Sequence, residues 1–231
     1  MRDFIVQWLT QITAAFWQSS LSIDQFVTAL QETFQMVFFS LLFGCIWGLI
    51  QGITLVVTRT GGILQNRAIY YVLNPLVNAL RSLPFIILLI AVIPLTKILV
   101  GTSIGTWAAI VPLTIYVGPY LGRLIETSLL EVNEGIIESA QAMGANPWQI
   151  IVKFVIPEAR SSLILNLTTG TITLIGATAM AGAVGAGGIG DLAISYGYQR
   201  FDTSVVILTV IVLLLLVQLV QMLGDWLAKL R

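Results

Sequence analysis

The chain has 231 residues, of which 57% are apolar and only 10% charged, and its eleven basic side chains balance its eleven acidic ones. A soluble domain is about half apolar and about a quarter charged, so this composition excludes a soluble globular protein and indicates a membrane protein. With no histidine and no net charge, the chain offers neither a basic surface for nucleic acid nor an imidazole for metal binding. Its single cysteine, Cys45, lies in an apolar run, and we interpret it as a packing residue.

The first thirty residues are predicted to form an interfacial segment. The apolar stretch from residue 4 to residue 17 contains Gln7 and Gln11 and is shorter than the roughly 20 apolar residues that a bilayer requires. Trp8 and Trp17 are typical of a helix that lies at the level of the lipid head groups. We therefore expect an amphipathic helix on the membrane surface; the alternative is a sixth span, which would move the N-terminus inside.

Five membrane spans are expected after this segment. Four stretches without Asp, Glu, Lys or Arg are long enough to cross a bilayer, and a fifth is interrupted by Arg81. Because residues 82–96 alone are too short to span at about 1.5 Å per residue, we expect the crossing helix to continue through Arg81. The uninterrupted stretches are Thr33–Thr58, Ile98–Gly122, Ser161–Gly190 and Thr203–Gly224.

The distribution of basic residues predicts the orientation. If the first span runs from outside to inside, eight of the eleven Lys and Arg residues fall in cytoplasmic segments and three fall outside. This excess predicts an external N-terminus and a cytoplasmic C-terminus, with residues 223–231 as a cytoplasmic tail.

The longest polar stretch, residues 123–160, lies between the third and fourth spans and predicts two short cytoplasmic helices. The first begins near Asn133 and ends at Gly144, which suits a left-handed stop. The second begins with Asn146 as N-cap and Pro147 at the first helical position, and Pro157 is expected to restart the chain into the next span. Apolar residues recur at helical spacing on one face of each helix: Ile136, Ile137, Ala140 and Met143, then Ile150, Ile151, Phe154 and Val155.

The spacing in this stretch resembles the EAA loop of ABC importer permeases. The pattern of that loop is Glu-Ala-Ala, three residues, Gly, nine residues, Ile, any residue and Leu-Pro. The pattern of two short amphipathic helices would also fit a connector that lies flat on the lipid head groups, but the matched spacing favours the EAA loop. The chain has Glu138-Ser139-Ala140, Gly144, Phe154, Val155 and Ile156-Pro157 at these positions, with Ser139, Phe154 and Ile156 replacing the family residues.

A wider resemblance covers about residues 31–222 and points to the methionine-uptake branch of these permeases. It implies an all-α, type I ABC importer permease domain with five transmembrane helices over residues 31–222. It also implies a cytoplasmic coupling segment, residues 127–157, in which the helix Glu138–Trp148 sits in a groove of a separate ATPase subunit. The motifs that carry the resemblance are Arg81–Leu89, Val100–Gly105, Ala109–Thr114 and Gly182–Gly190.

The resemblance implies an ATP-driven importer in a bacterial plasma membrane that carries methionine, with D-methionine and related amino acids as further substrates. Five helices are too few to enclose a path, so we expect a second copy of the chain, with two ATPase subunits and an extracytoplasmic binding protein or lipoprotein. The chain lacks G-x-x-x-x-G-K-[ST], so it is not expected to be an enzyme or to need a cofactor. The predicted coupling residues are Glu138, Ser139, Ala140, Ala142, Gly144 and Pro157.

The predicted path or gate is less sharply defined. Arg81 either anchors its helix by reaching the cytoplasmic face or contacts a substrate carboxylate. The G-x-G-x-x-G at residues 185–190 lacks the strand–helix context of a dinucleotide site, so it is either a packing or bend element or a substrate contact. The small and hydroxylated residues of the fourth span suit a dimer interface or a path lining. The residues proposed for the path are Arg81, Ser82, Thr171, Met180, Gly185 and Gly187.

An outer-loop cluster could receive the binding protein, although a solvated loop would have the same composition. Three alternatives to methionine import stay open: import of another amino acid or small organic solute, secondary transport, and a membrane assembly role. Secondary transport is disfavoured because the predicted spans lack Asp, Glu and His for ion coupling. The outer-loop residues are Asp191, Tyr196, Tyr198, Arg200 and Asp202.

Overall fold

A computed structural model describes residues 21–230, so the interfacial helix predicted at residues 4–17 lies outside the described part. Within residues 21–230 the chain is helical and has no β-strand. Wide π-helical turns occupy Ile151–Val155 and Ala193–Tyr198. The helices are α1 Ile23–Thr58, α2 Arg67–Ser82, α3 Phe85–Ala91, α4 Ile93–Val100, α5 Thr106–Leu130, α6 Glu134–Ala142, α7 Pro147–Ile150, α8 Ile156–Glu158, α9 Arg160–Gly182, α10 Gly188–Leu192 and α11 Thr203–Lys229.

Four of the helices in the described part are long and apolar enough to cross a membrane, namely α1, α5, α9 and α11. The pair α2 and α3 makes a fifth crossing if the two are counted as one broken span. The all-α fold is therefore confirmed, and five is the upper count of crossings within residues 21–230. In α11 only 28% of the most apolar window is buried within the chain, as expected for a helix that faces lipid or a second subunit.

The fifth crossing is bent, so the prediction of one helix continuing through Arg81 is wrong. Helix α2 ends at Ser82, and α3 begins at Phe85 after a bend of 107°. Pro84 has no N–H to donate, and it forces Leu83 into an extended conformation with φ −76° and ψ 128°. Arg81 therefore lies in the last turn of α2, next to a break in the chain.

The third span is shifted along the chain relative to the charge-free stretch Ile98–Gly122. Residues 98–100 belong to α4, and α5 begins at Thr106 and continues through Arg123. Gly101 and Gly105, with φ of +83° and +99°, turn the chain between the two helices. A stretch without charged residues identifies an apolar part of the chain, but it does not show whether that part forms a helix or a tight turn.

The fourth span also ends earlier than predicted. Helix α9 stops at Gly182 rather than Gly190, and the residues that follow form a turn. Gly185, Gly187 and Gly188 all have φ between +80° and +83°, which a continuous right-handed helix does not allow. The glycine run is therefore a bend after the span. The first and last spans are longer than predicted, as α1 and α11.

The described chain divides into two compact units. The first unit contains residues 21–40, 85–113 and 172–220, and one of its apolar clusters joins α1, α10 and α11 through Ala29, Ile189 and Leu208. The second unit contains residues 41–84, 114–171 and 221–230. Its core joins α5 to the segment between α5 and α9 and contains Ile125, Leu129, Val132, Ala140, Ile150, Val155, Ala159 and Leu163.

A glycine seam brings α1 and α5 together within the second unit. Gly44, Gly48 and Gly52 follow one another at intervals of four residues, so they share one face of α1. A Cβ atom at Gly48 would come within 2.9 Å of the backbone nitrogen of Gly122, and one at Gly52 within 2.6 Å of its carbonyl oxygen. These small residues let the two backbones approach closely, as in the small-xxx-small motif of membrane helices.

Gly48→Ala is expected to destabilise the permease because the added methyl group meets backbone that cannot move aside. Overpacking of this kind costs about 1–3 kcal/mol, which outweighs the helix propensity of about 1 kcal/mol that alanine gains. The matched control is Gly176→Ala in α9, where a Cβ atom would meet nothing within 4 Å. Unfolding in detergent measures the effect, and equal stability of the two variants would contradict the seam.

Candidate functional site

The segment with the EAA-like spacing, residues 133–158, is called the EAA segment below. Its first helix, α6, begins where predicted: the side chain of Asn133 accepts a hydrogen bond from the backbone N–H of Gly135 at 2.8 Å. The helix ends in a Schellman motif, in which the N–H of Ala145 donates to the carbonyl of Ala140 and the N–H of Gly144 donates to that of Gln141. Gly144 has φ +79°, so the predicted left-handed stop is confirmed.

The second helix of the EAA segment also begins as predicted. The backbone N–H of Gln149 donates to the side-chain oxygen of Asn146 at 2.9 Å, and the side-chain oxygen of Gln149 accepts a hydrogen bond from the N–H of Asn146, also at 2.9 Å. This reciprocal pair is a capping box, which satisfies two backbone donors at once. Pro147 occupies the first helical position. Only two residues separate Gly144 from Pro147, so the turn between the helices is short and fixed.

Pro157 does not restart the chain as predicted. Helical turns continue from Pro147 through the π-helical turn Ile151–Val155 to Glu158, and α9 begins two residues later. Pro157 cannot donate a backbone hydrogen bond, and its ring crowds the preceding turn. The wide π turn just before it makes room for the ring, with the N–H of Ile156 donating to the carbonyl of Ile151.

One face of the EAA segment is built into the core of the second unit. Ala140 is fully buried, so within the predicted coupling set it packs beneath the surface rather than on it. The prediction for Met143 is wrong: it is 69% exposed, because α6 ends at Ala142 and the turn into Gly144 directs its side chain outward. The other predicted face residues are buried or half-buried: Ile136, Ile137, Ile150, Ile151, Phe154 and Val155.

The opposite face of the EAA segment is exposed around the turn. Two large apolar side chains stand out there, since Met143 is 69% and Trp148 is 70% exposed on either side of Gly144. Exposed aromatic and Met side chains beside polar residues are typical of protein interfaces. Trp148 was expected only as the last residue of the coupling helix Glu138–Trp148, although a tryptophan directly after a capped Pro147 is a signal that could have identified it as a contact residue. The predicted coupling residues that are exposed are Glu138, Ser139, Ala142 and Gly144 near the turn, and Pro157 further along the segment.

A cavity of about 390 Å³ lies beside the EAA segment. Apolar residues such as Ile53, Leu129 and Val155 line its interior, and Glu138 lies among the polar lining residues. At its edge the guanidinium of Arg59 is 3.7 Å from the carboxylate of Glu134, which is 82% exposed. Exposed ion pairs contribute little to stability, so this pair leaves the edge of the cavity free to rearrange.

The residues predicted for the path fall in different parts of the chain. In the second unit, Arg81 and Ser82 are exposed at the end of α2, and the hydroxyl of Thr171 donates to the carbonyl of Leu167 in its own helix. Arg81 takes part in neither ion pair found within residues 21–230, and its guanidinium lies 5.9 Å from the Tyr120 ring centre. Met180, Gly185 and Gly187 belong to the first unit.

The glycine turn of the first unit is held by a carboxylate and a hydroxyl from α1. Glu32 accepts a hydrogen bond from the N–H of Gly188 at 2.7 Å, and Thr33 accepts one from the N–H of Ile189 at 2.9 Å. A Cβ atom at Gly187 would collide with the Glu32 carboxylate. These contacts favour the packing and bend interpretation of Gly187, whereas Gly185 is exposed.

The outer-loop cluster is only partly available to a partner. Asp191 accepts from the Ser195 hydroxyl, Tyr196 accepts from the Gln25 side chain, and Asp202 caps the start of α11 through the N–H of Ser204. These three side chains therefore support the local fold. The exposed members of the cluster are Tyr198 and Arg200, with Phe201 beside them.

Comparison with known proteins places the chain among transport proteins. The family model described as "Binding-protein-dependent transport system inner membrane component" matches residues 40–230. The probable D-methionine transport system permease protein MetI of Vibrio cholerae is 45% identical over 217 residues, covering 94% of this chain and 96% of the relative. The D-methionine transport system permease protein MetI of Escherichia coli K12 is 47% identical over 156 residues, covering 68% and 72% of the two chains.

Solved structures agree with this relationship. A structure of the MetNI methionine ABC transporter in inward-facing conformations matches with a TM-score of 0.88 and 44% identity, covering 90% of this chain and 98% of the other. An amino acid ABC transporter solved with histidines has a TM-score of 0.73 at 17% identity, which supports the fold alone. With the family model matched from residue 40 to residue 230, this chain belongs to the inner membrane components of binding-protein-dependent transport systems.

Proposed function

We propose that this chain is the permease subunit of an ATP-driven importer whose substrate is methionine, including the D form, with related amino acids as further substrates. Two copies would enclose one translocation path, two ATPase subunits would bind the two EAA segments, and an extracytoplasmic binding protein or lipoprotein would deliver the substrate. Relatives from Vibrio cholerae and Pasteurella multocida that cover most of the chain are named probable D-methionine transport system permeases, which supports this substrate.

The observation that carries the proposal is the surface of the EAA segment. It joins a rigid inner face, held by the Schellman motif and the capping box, to an exposed outer face with Met143, Gly144 and Trp148. A pre-organised surface lets a partner bind without ordering the segment first, which favours affinity. A second subunit that hydrolyses ATP is required because this chain has no phosphate-binding loop of its own.

Within this proposal the EAA segment faces the cytoplasm, the N-terminus lies outside and the coupling region covers residues 127–157. Closure of the two ATPase subunits would draw the paired EAA segments together and switch access from one side of the membrane to the other. Glu138, Ser139, Ala142 and Gly144 would contact the ATPase, with Ala140 packing beneath them. Arg81 and Ser82 would line the path at the end of α2, where they are exposed.

Secondary transport is the alternative to an ATP-driven importer, and one observation in the described helices bears on it. Helix α5 continues through Arg123 and Glu126, so the described helices include a buried carboxylate that the charge-free stretches do not. Arg123 lies 2.7 Å from that carboxylate and balances its charge, however, which disfavours a role in ion coupling.

Deletion of the gene is expected to abolish uptake of radiolabelled methionine at low external concentration, while uptake of unrelated amino acids continues. The permease reconstituted in vesicles with its ATPase subunit should take up methionine only when ATP and the binding protein are supplied. Loss of a different amino acid in the deletion strain would contradict the substrate. Uptake that persists in vesicles without the ATPase would favour secondary transport.

A further inference from the structure

Helix α5 carries an ion pair with a buried carboxylate, and neither residue belongs to the proposed path or coupling residues. The side chain of Glu126 is 5% exposed, and its Oε2 atom lies 2.7 Å from Nη1 of Arg123, one turn earlier. A buried carboxylate needs a compensating charge, and the arginine that supplies it is 32% exposed, so the pair adds little net stability. The pair is therefore better explained by the geometry that it holds.

The same arginine nitrogen reaches a second helix. Nη1 of Arg123 also donates to Oδ1 of Asn74 in α2 at 3.1 Å, so one guanidinium joins α2 to α5. Asn78 donates to that oxygen atom from within α2, at 3.5 Å. Because Glu126 fixes the guanidinium, the link to Asn74 has a defined position rather than that of a free surface arginine.

Helix α5 is joined to α9 by a separate polar network. The amide of Asn166 donates to the Ser128 hydroxyl at 2.7 Å, and the Ser162 hydroxyl donates to the carboxylate of Glu131, the residue after α5, at 2.6 Å. The EAA segment lies between α5 and α9 in the chain, so hydrogen bonds connect the two helices that enter and leave it. A displacement of the EAA segment would therefore move α5 and α9 together.

The geometry points to Asn74, Arg123 and Glu126 as positioning residues that transmit movement of the EAA segment to α2. Helix α2 ends with Arg81, next to the break at Leu83 and Pro84. Through the Arg123–Asn74 hydrogen bond, α2 would follow α5 when the EAA segment moves, and Arg81 would move with it. This inference rests on the proposed binding of an ATPase subunit to the EAA segment.

Asn74→Ala tests the link without removing the Arg123–Glu126 ion pair. The variant keeps Arg123 and Glu126 together in α5, while α2 loses the oxygen atom that Arg123 binds. Asn74→Asp restores an acceptor at the same place. Asn78→Ala is the matched control, because Asn78 also bonds to Asn74 from one turn away but makes no hydrogen bond to α5 within residues 21–230.

The measurement is the amount of radiolabelled methionine taken up per ATP hydrolysed by the permease–ATPase complex in vesicles. For Asn74→Ala we expect this ratio to fall about tenfold while the ATPase still co-purifies and hydrolyses ATP, within the range known for residues that carry coupling. Asn74→Asp and Asn78→Ala should keep the wild-type ratio.

Two results would overturn the inference: an unchanged ratio for Asn74→Ala, or loss of the ATPase from the Asn74→Ala complex, which would mean that Asn74 acts on docking. Failure of the wild-type permease to retain any ATPase would instead contradict the proposed function, whatever Asn74 does. The ratio separates transmission from a purely structural role, because a misfolded fraction lowers uptake and ATP hydrolysis together.

Discussion

Gly144→Arg is expected to abolish methionine uptake while the permease still inserts and folds. Gly144 lies between the exposed side chains of Met143 and Trp148, and a Cβ atom there would meet nothing within 4 Å. The arginine therefore has room within this chain, and its bulk and charge project toward the partner. Loss of one central interface contact costs about 3 kcal/mol, equivalent to a loss of affinity of about a hundredfold.

The control for Gly144→Arg must carry the same backbone strain and the same charge. Gly101 meets both conditions: its φ is +83°, against +79° for Gly144, and a Cβ atom there also meets nothing within 4 Å. It ends α4 in the first unit, away from the EAA segment in the chain. Gly101→Arg should therefore retain uptake, and so should Gly144→Ala, which adds only the strain of about 1 kcal/mol.

Uptake, membrane insertion and co-purification of the ATPase subunit are measured for each variant. Glu138→Lys provides an independent change on the same surface, and it should also release the ATPase because it reverses an exposed charge. Normal co-purification together with normal uptake in Gly144→Arg would contradict the docking role of the EAA segment. Equal loss in Gly101→Arg would assign the effect to backbone strain.

The ends of the EAA helices could be predicted from the sequence because their causes are local. Asn133, Gly144 and the pair Asn146-Pro147 each determine the backbone of the few residues around them, and the structure confirms all three positions. The exposure of Met143 could not be predicted in this way. Helical spacing placed it on the buried face, but the helix ends one residue before it, so the spacing no longer applies.

Contacts between distant parts of the chain were not predictable from composition. The Arg123–Glu126 pair lies beyond the charge-free stretch that was expected to form the third span, and its link to Asn74 joins residues 49 positions apart. The seam at Gly44, Gly48 and Gly52 did carry a sequence signal, since glycine at every fourth position of an apolar helix predicts close helix packing. Which helix packs there requires the fold.

Pro84 shows how a local signal can be outweighed by a length argument. Requiring about 20 residues per crossing favoured a helix that continues through Arg81, whereas the proline predicts a break at the residue before it. The structure follows the proline, with a bend of 107°. A broken crossing places Arg81 at a helix end, where backbone and side chain can face an aqueous path rather than lipid.

Arg81→Ala is expected to reduce methionine uptake about tenfold to a hundredfold, with little change in the amount of folded permease. Arg81 is exposed at the end of α2, and no carboxylate within the described residues lies within 4 Å of it. Its contact with Tyr120, at 5.9 Å, is at the outer limit of a cation–π interaction. The guanidinium is therefore available to a substrate carboxylate, and a hydrogen bond to such a charged group contributes about 1.5–3 kcal/mol.

The readout is the concentration dependence of uptake in vesicles, because loss of a carboxylate contact should raise the half-saturating methionine concentration. Arg81→Lys keeps the charge but cannot make the bidentate hydrogen bonds of a guanidinium, so its half-saturating concentration should lie between those of the wild type and Arg81→Ala. Arg67→Ala removes an exposed arginine from the first turn of the same helix and should leave uptake unchanged. If Arg81→Ala instead loses uptake and folded protein in the same proportion, Arg81 is an anchor of α2 and does not contact the substrate.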